Sequence, residues 1–151
     1  MIDVEHTDTL NGGDVVLKGN DLSKISGWSN MVYEALFGGN VEQSTQPIRS
    51  ENELDESFWA NALLWPSDQQ LNSETERVLN NVTINSSGRV KIEQAAMRDL
   101  AFMKNFATVR VETTVEAVDR IRITVYVSQP DGLNEEAFTY IWDGTLKRLV
   151  E

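Results

Sequence analysis

The sequence predicts an α+β fold: a single domain whose helices pack on a small antiparallel sheet with a long central β-hairpin. Two patterns carry this. Val109, Val111, Val115 and Ala117 alternate with polar residues, and after a charged turn Ile121, Ile123, Val125 and Val127 do so again. That period of two belongs to paired, half-buried strands. Just before them, Ile92, Ala95, Ala96, Leu100 and Met103 recur at helical spacing over residues 89–104. The chain has 151 residues and no internal repeat, low-complexity tract or linker, enough to bury one core of its own.

Residues 1–12 are polar and short on apolar groups, so a flexible or partner-ordered N-terminus is expected, with the domain proper over 13–151. Val15-Val16-Leu17, then Leu22 and Ile25, read as strands of an entry hairpin around Lys18-Gly19-Asn20-Asp21, since Gly and Asn tolerate positive φ. Ser29 is placed to cap a helix with Met31, Val32, Ala35 and Leu36 on one face, and Gly38-Gly39 stops it. Trp28, Tyr33 and Phe37 are expected to anchor that helix in the core. Residues 40–55 are polar and aperiodic, a surface loop. Phe58, Ala62 and Trp65 then share a helical face that Pro66 ends. The pair Trp59 and Trp65 reads as core, or as an interface anchor if exposed.

Ser73-Glu74-Thr75-Glu76 has the form of a capping box opening a helix over 74–85, with Val78, Leu79, Val82 and the Ile84 region facing inward. Asn85-Ser86-Ser87-Gly88 is expected to break it before the helix over 89–104, where small Ala95 and Ala96 permit close approach. In the hairpin, Arg110, Glu112, Glu116, Arg120 and Arg122 should face outward. Opposite signs across the pair would add ~0.2–1 kcal/mol each. Pro130-Asp131-Gly132 is a turn. Ala137 to Trp142 alternates as a third strand, with Phe138, Tyr140 and Trp142 on one side and Ala137, Thr139 and Ile141 on the other. Leu146, Leu149 and Val150 form a tail, either a helical turn or an added strand.

Chemistry is hard to place on this chain. It has no cysteine and one histidine, His6, in the polar start, so neither a nucleophile–histidine arrangement nor a zinc site is expected. No glycine-rich phosphate loop or calcium-loop spacing is present. The densest carboxylates, Glu51, Glu53, Asp55 and Glu56, fall in the polar loop, where nothing desolvates them, so their acidities should be ordinary. The reading is therefore no enzyme, no cofactor and no metal. A formal charge of -11 repels phosphate and anionic lipid, which argues against nucleic-acid partners. No apolar run approaches the ~20 residues of a membrane span. The first residues lack the basic and apolar regions of a signal peptide.

The order of several segments points further. These are Gly13-Asp14-Val15-Val16-Leu17, Met31 to Gly39, Phe58-Trp59-Ala60-Asn61-Ala62-Leu63, the helix with Glu93 to Met103, and Val109-Arg110-Val111 with Ile121 to Val127. Pro130-Asp131-Gly132 and Phe138-Thr139-Tyr140-Ile141-Trp142 close the series. In this order the chain resembles the baseplate wedge proteins of contractile phage tails, the sheath-initiator family, and in particular its phage Mu-like branch, over roughly residues 13–143. The wider family often carries an acidic–proline–arginine tripeptide before the first hairpin strand. Here Phe106-Ala107-Thr108 stands instead, so contacts made by that tripeptide do not transfer.

The resemblance implies a non-enzymatic structural subunit of the virion tail baseplate, assembled in the host cytoplasm. It would lie between tail hub or tube and the other wedge proteins, in multiple copies, six in the family, and start the first ring of sheath subunits. β-Strand addition at a sheet edge is the physical route expected. Arg110 and Arg122 are candidate interface charges, and Phe138, Tyr140 and Trp142 candidate interface aromatics on the closing strand. The alternatives are the equivalent subunit of a contractile injection or secretion machine, a small acidic protein-binding module, and a hydrolase using the loop carboxylates.

Overall fold

The N-terminal segment folds back on itself in nested antiparallel pairs. In the computed structural model, the backbone is described for residues 2–4, 6–9, 12–22, 24–39, 66, 71–130, 132 and 134–150. β1 (Ile2–Val4) pairs with β6 (Lys24–Ser26), β2 (His6–Thr9) with β3 (Gly12–Val15), and β4 (Leu17–Lys18) with β5 (Asp21–Leu22). Gly19, at φ 69°, turns the last of these hairpins where the sequence expects it. The expected strand Val15-Val16-Leu17 is interrupted at Val16 and shared between β3 and β4. The start expected to be loose contributes two strands. Backbone pairing asks for extended residues rather than apolar ones, and Ile2, Val4, Thr7 and Thr9 are β-branched or extended-favouring.

Three α-helices follow among the described residues: α1 (Ser29–Phe37), α2 (Glu74–Asn81) and α3 (Ser86–Asp99). α1 buries Val32 and Leu36 completely, but Ser29 is its first residue; Trp28 stands at the cap without a side-chain bond. The polar loop 40–55 and the segment Phe58 to Trp65 lie outside the described residues. α2 ends at Asn81, where Val82 turns extended. The expected breaker begins α3: the Asn85 side chain accepts from the Gly88 amide at 2.9 Å, so this run is a start signal. Gly88 is required there because a Cβ would stand 2.0 Å from the Thr83 carbonyl oxygen. Ile92, Ala95, Ala96, Leu100 and Met103 are all buried as their spacing predicts. The helix does not run to 104; after Leu100 it tightens into a 3₁₀ turn over Ala101–Asn105.

Beside the helices lies an antiparallel sheet of β7 (Thr108–Ala117), β8 (Arg120–Ser128), β9 (Glu135–Asp143) and β10 (Arg148–Val150), in the order β10-β9-β8-β7. Ile121, Ile123, Val125 and Val127 are fully buried on the helix side of β8. Opposite three of them stand Trp142, Tyr140 and Phe138 of β9. Tyr140 reaches α1, its ring 5.1 Å from Phe37 and 6.2 Å from Tyr33. The tail forms the added strand β10. One face assignment fails: a bulge between Val115 and Ala117 places Ala117 opposite outward-facing Arg120, off the core face. The core position between Val111 and Val115 is Thr113, which is buried.

Candidate docking edge

β7 is the long end of the sheet, ten residues against three for β10. Among the described residues no strand pairs with its outer side. Along an edge strand, alternate residues aim N–H and C=O groups away from the sheet, and those groups need a partner or protection. The C-terminal end, past Val115, is turned aside. The bulge twists it out of line, and Arg89 of α3 places Nη1 3.4 Å from the Thr113 carbonyl oxygen. The same guanidinium lies 3.3 Å from Thr113 Oγ1 and 3.0 Å from Glu93 Oε2, and the Thr113 hydroxyl donates to that carboxylate at 2.7 Å. This Arg89–Glu93–Thr113 triangle escapes sequence reading because Thr113 looks like a gap in the valine pattern.

The solvent face of the sheet carries the two arginines singled out from the sequence. Arg110 stacks over the Tyr126 ring, 3.8 Å from its centroid, pairs with Glu112, and approaches Glu135 at 3.8 Å. Arg122 pairs with Glu116 at the bulge. Charges of opposite sign do not stand directly across the hairpin: Arg110 faces Tyr126, Glu112 faces Thr124, and Arg122 faces Thr114. The ion pairs run along β7 and diagonally instead, which the pattern of signs alone could not distinguish. Further along, the Leu146 amide, the Arg120 guanidinium at 3.0 Å and the Thr145 amide hold the Asp143 carboxyl below its usual range.

Phe138, Tyr140 and Trp142 are elsewhere. All three point to the helix side, Trp142 is buried, and burial pushes the Tyr140 phenol well above its ordinary value. β9 runs inside the sheet, with β8 on one side and β10 covering Ile141–Asp143 on the other. Trp142 thus belongs to the core, and the half-buried Phe138 and Tyr140 pack against it, because the strand's period puts them opposite the apolar face of β8. Exposed aromatics lie instead just before β7. Phe106 stacks on Trp28 at 5.5 Å and meets Phe102 at 6.3 Å; Phe102 and Phe106 remain 46% and 38% exposed. Helical spacing does not single them out, since neither lies on the apolar stripe from Ile92 to Met103.

Among the described residues no group of three or more His, Cys, Asp or Glu side chains is placed to hold a metal ion. A shallow groove of about 320 Å³ on the outer side of α3 is lined by Glu93, Gln94, Met97, Arg98, Ala101 and Lys104. Among the described residues no helix is long and apolar enough to cross a membrane. What the geometry offers is backbone pairing along Thr108–Thr114, flanked by paired charges and an aromatic cluster. In comparisons with family models, with curated proteins and with solved structures, nothing matches this chain.

Proposed function

We propose that this protein is a structural subunit of the baseplate wedge of a contractile phage tail, lying between hub and wedge and initiating the sheath by β-strand addition. The observation that supports this reading is that, among the described residues, no strand covers the outer edge of β7, in a sheet whose other long strands are paired on both sides over part or all of their length. An edge of this kind binds an extended segment through main-chain hydrogen bonds, with specificity from flanking side chains. The resemblance in segment order supplies the partners: sheath subunit, tail hub or tube and the other wedge proteins, in six copies per baseplate. The chain acts there without catalysis or cofactor. The same edge would serve the equivalent subunit of a contractile injection or secretion machine.

The reading is tested by co-expression with the wedge and sheath proteins encoded beside it, followed by electron microscopy of the assembled tails. Since alternate residues aim their N–H outward, one of Val109→Pro and Arg110→Pro spares the β7–β8 ladder while blocking the edge. That variant should fold and enter the baseplate yet fail to start a sheath. Normal sheaths with both variants, or purified tails that lack this chain, would refute the assignment.

A further inference from the structure

The β7 edge is complementary to itself. A second copy of the chain can extend the sheet only if its helix side matches that of the first, which requires a two-fold axis perpendicular to the sheet. Such an axis pairs each residue with one of the same face, so it must pass through a residue position. The register of β7 is unbroken from Thr108 to Val115, up to the bulge, and Val111 lies beside the middle of that run. With the axis at Val111, Arg110 stands opposite Glu112 of the other copy and Glu112 opposite Arg110. Thr108 meets Thr114, and Val109 meets Thr113. Every pair is favourable: two ion pairs on the solvent face, Thr–Thr pairs at both ends, and β-branched pairs toward the helices.

Neighbouring registers lose this. An axis at Glu112 sets Glu112 against its own copy, and an axis at Arg110 does the same with two guanidinium groups, both repulsive. An axis at Thr113 runs the pairing into the bulge. The groups involved are accessible, with the side chains of Arg110 and Glu112 49% and 57% exposed. Arg89 occupies one lone pair of the Thr113 carbonyl and leaves the other for an incoming amide.

We propose that the free protein forms a two-fold symmetric dimer through β7, centred on Val111, giving one continuous antiparallel sheet across both copies. Pairing of this kind would shield the edge until another strand displaces the second copy. The inference rests on the edge geometry alone and stands or falls separately from the tail assignment.

The test uses the purified full chain in sedimentation equilibrium from about 1 µM to several hundred µM. A single strand pair buries less than a standard interface, so dissociation in the micromolar range is expected. Arg110→Glu and Glu112→Arg should each weaken the dimer about tenfold, because each turns two attractive pairs repulsive. The double variant Arg110→Glu/Glu112→Arg should restore it. Val118→Arg, at a turn tip that is 93% exposed and off the edge, should change nothing. The chain has no cysteine, so register is read independently. A mixture of Thr108→Cys and Thr114→Cys chains, oxidised with glutathione disulfide, should give the mixed cross-link in preference to either symmetric one. A monomer at all concentrations, a dimer indifferent to the single reversals, or a dominant symmetric cross-link would each overturn the proposal.

Discussion

The Asp99 carboxylate, at the C-terminal end of α3, caps α2 through Thr75. Its Oδ2 accepts from both the Thr75 amide and the Thr75 hydroxyl at 2.7 Å, and its Oδ1 accepts from the Glu74 amide at 3.0 Å. Glu74 in turn receives a two-pronged pair from Arg98 at 2.7 Å in each prong. Ser73, the expected cap, is engaged elsewhere: its hydroxyl donates to the Ala35 carbonyl at 2.8 Å and accepts from the Gly38 amide at 3.2 Å. Its own amide bonds the Gly39 carbonyl. The start of α2 is thus a joint of three helices.

Replacing Asp99 by Ala should destabilise the fold by about 2–3 kcal/mol, since charge-assisted bonds are lost and a fully buried Thr75 hydroxyl is stranded. Urea unfolding followed by circular dichroism measures this. A loss below about 0.5 kcal/mol would mean that another group takes over the cap.

Gly88→Ala tests a reversal of sign. In an open helix interior the change would gain about 0.5–1 kcal/mol. Here the added methyl would stand 2.0 Å from backbone at Thr83, which has no side-chain freedom to yield. A destabilisation of about 2 kcal/mol or more is expected, read as a lower melting temperature.

Stability should fall in acid partly through Asp143. Its carboxyl is held below its ordinary value by the Leu146 amide and the Arg120 guanidinium. The unfolded chain therefore takes up the proton first as pH drops, so the carboxylate stabilises the fold above the ordinary carboxyl range. That contribution disappears as pH falls through the lower folded value. Asp143→Asn should flatten the acid limb of the stability–pH curve below about pH 4. It will not abolish the limb, because Glu74 is lowered in the same sense by Arg98.

Arg122→Ala should change stability by no more than about 0.5 kcal/mol, as expected of an exposed pair with Glu116. Ile123→Ala, fully buried one residue along the same strand, should cost about 2–5 kcal/mol. Equilibrium unfolding of both variants makes the comparison, and equal losses would contradict the face assignment.

Much of the fold was legible because periodicity reports which side of an element meets apolar surface. The stripe from Ile92 to Met103, the alternation of Ile121 to Val127, and the aromatic side of β9 all lie where the pattern puts them. The surroundings of the candidate interface residues were less legible. Phe138, Tyr140 and Trp142 were conspicuous in the sequence because they are aromatic, and burial is the commoner use of that property. Arg110 and Arg122 face solvent as their alternation predicts, but their carboxylate partners depend on strand register and a bulge, which no local pattern encodes.

The sequence by itself determined the α+β class, the hairpin, the inward faces and the lack of thiol chemistry, because each follows from composition or short-range spacing. Only the tertiary structure decided that β7 is, among the described residues, the sheet's long edge and that Asp99 rather than Ser73 serves the amides of α2. It also decided that buried Thr113 belongs to a triangle with the half-exposed Glu93 and Arg89. Strand order and helix-to-helix capping join residues distant along the chain, where side-chain periodicity carries no information about the partner.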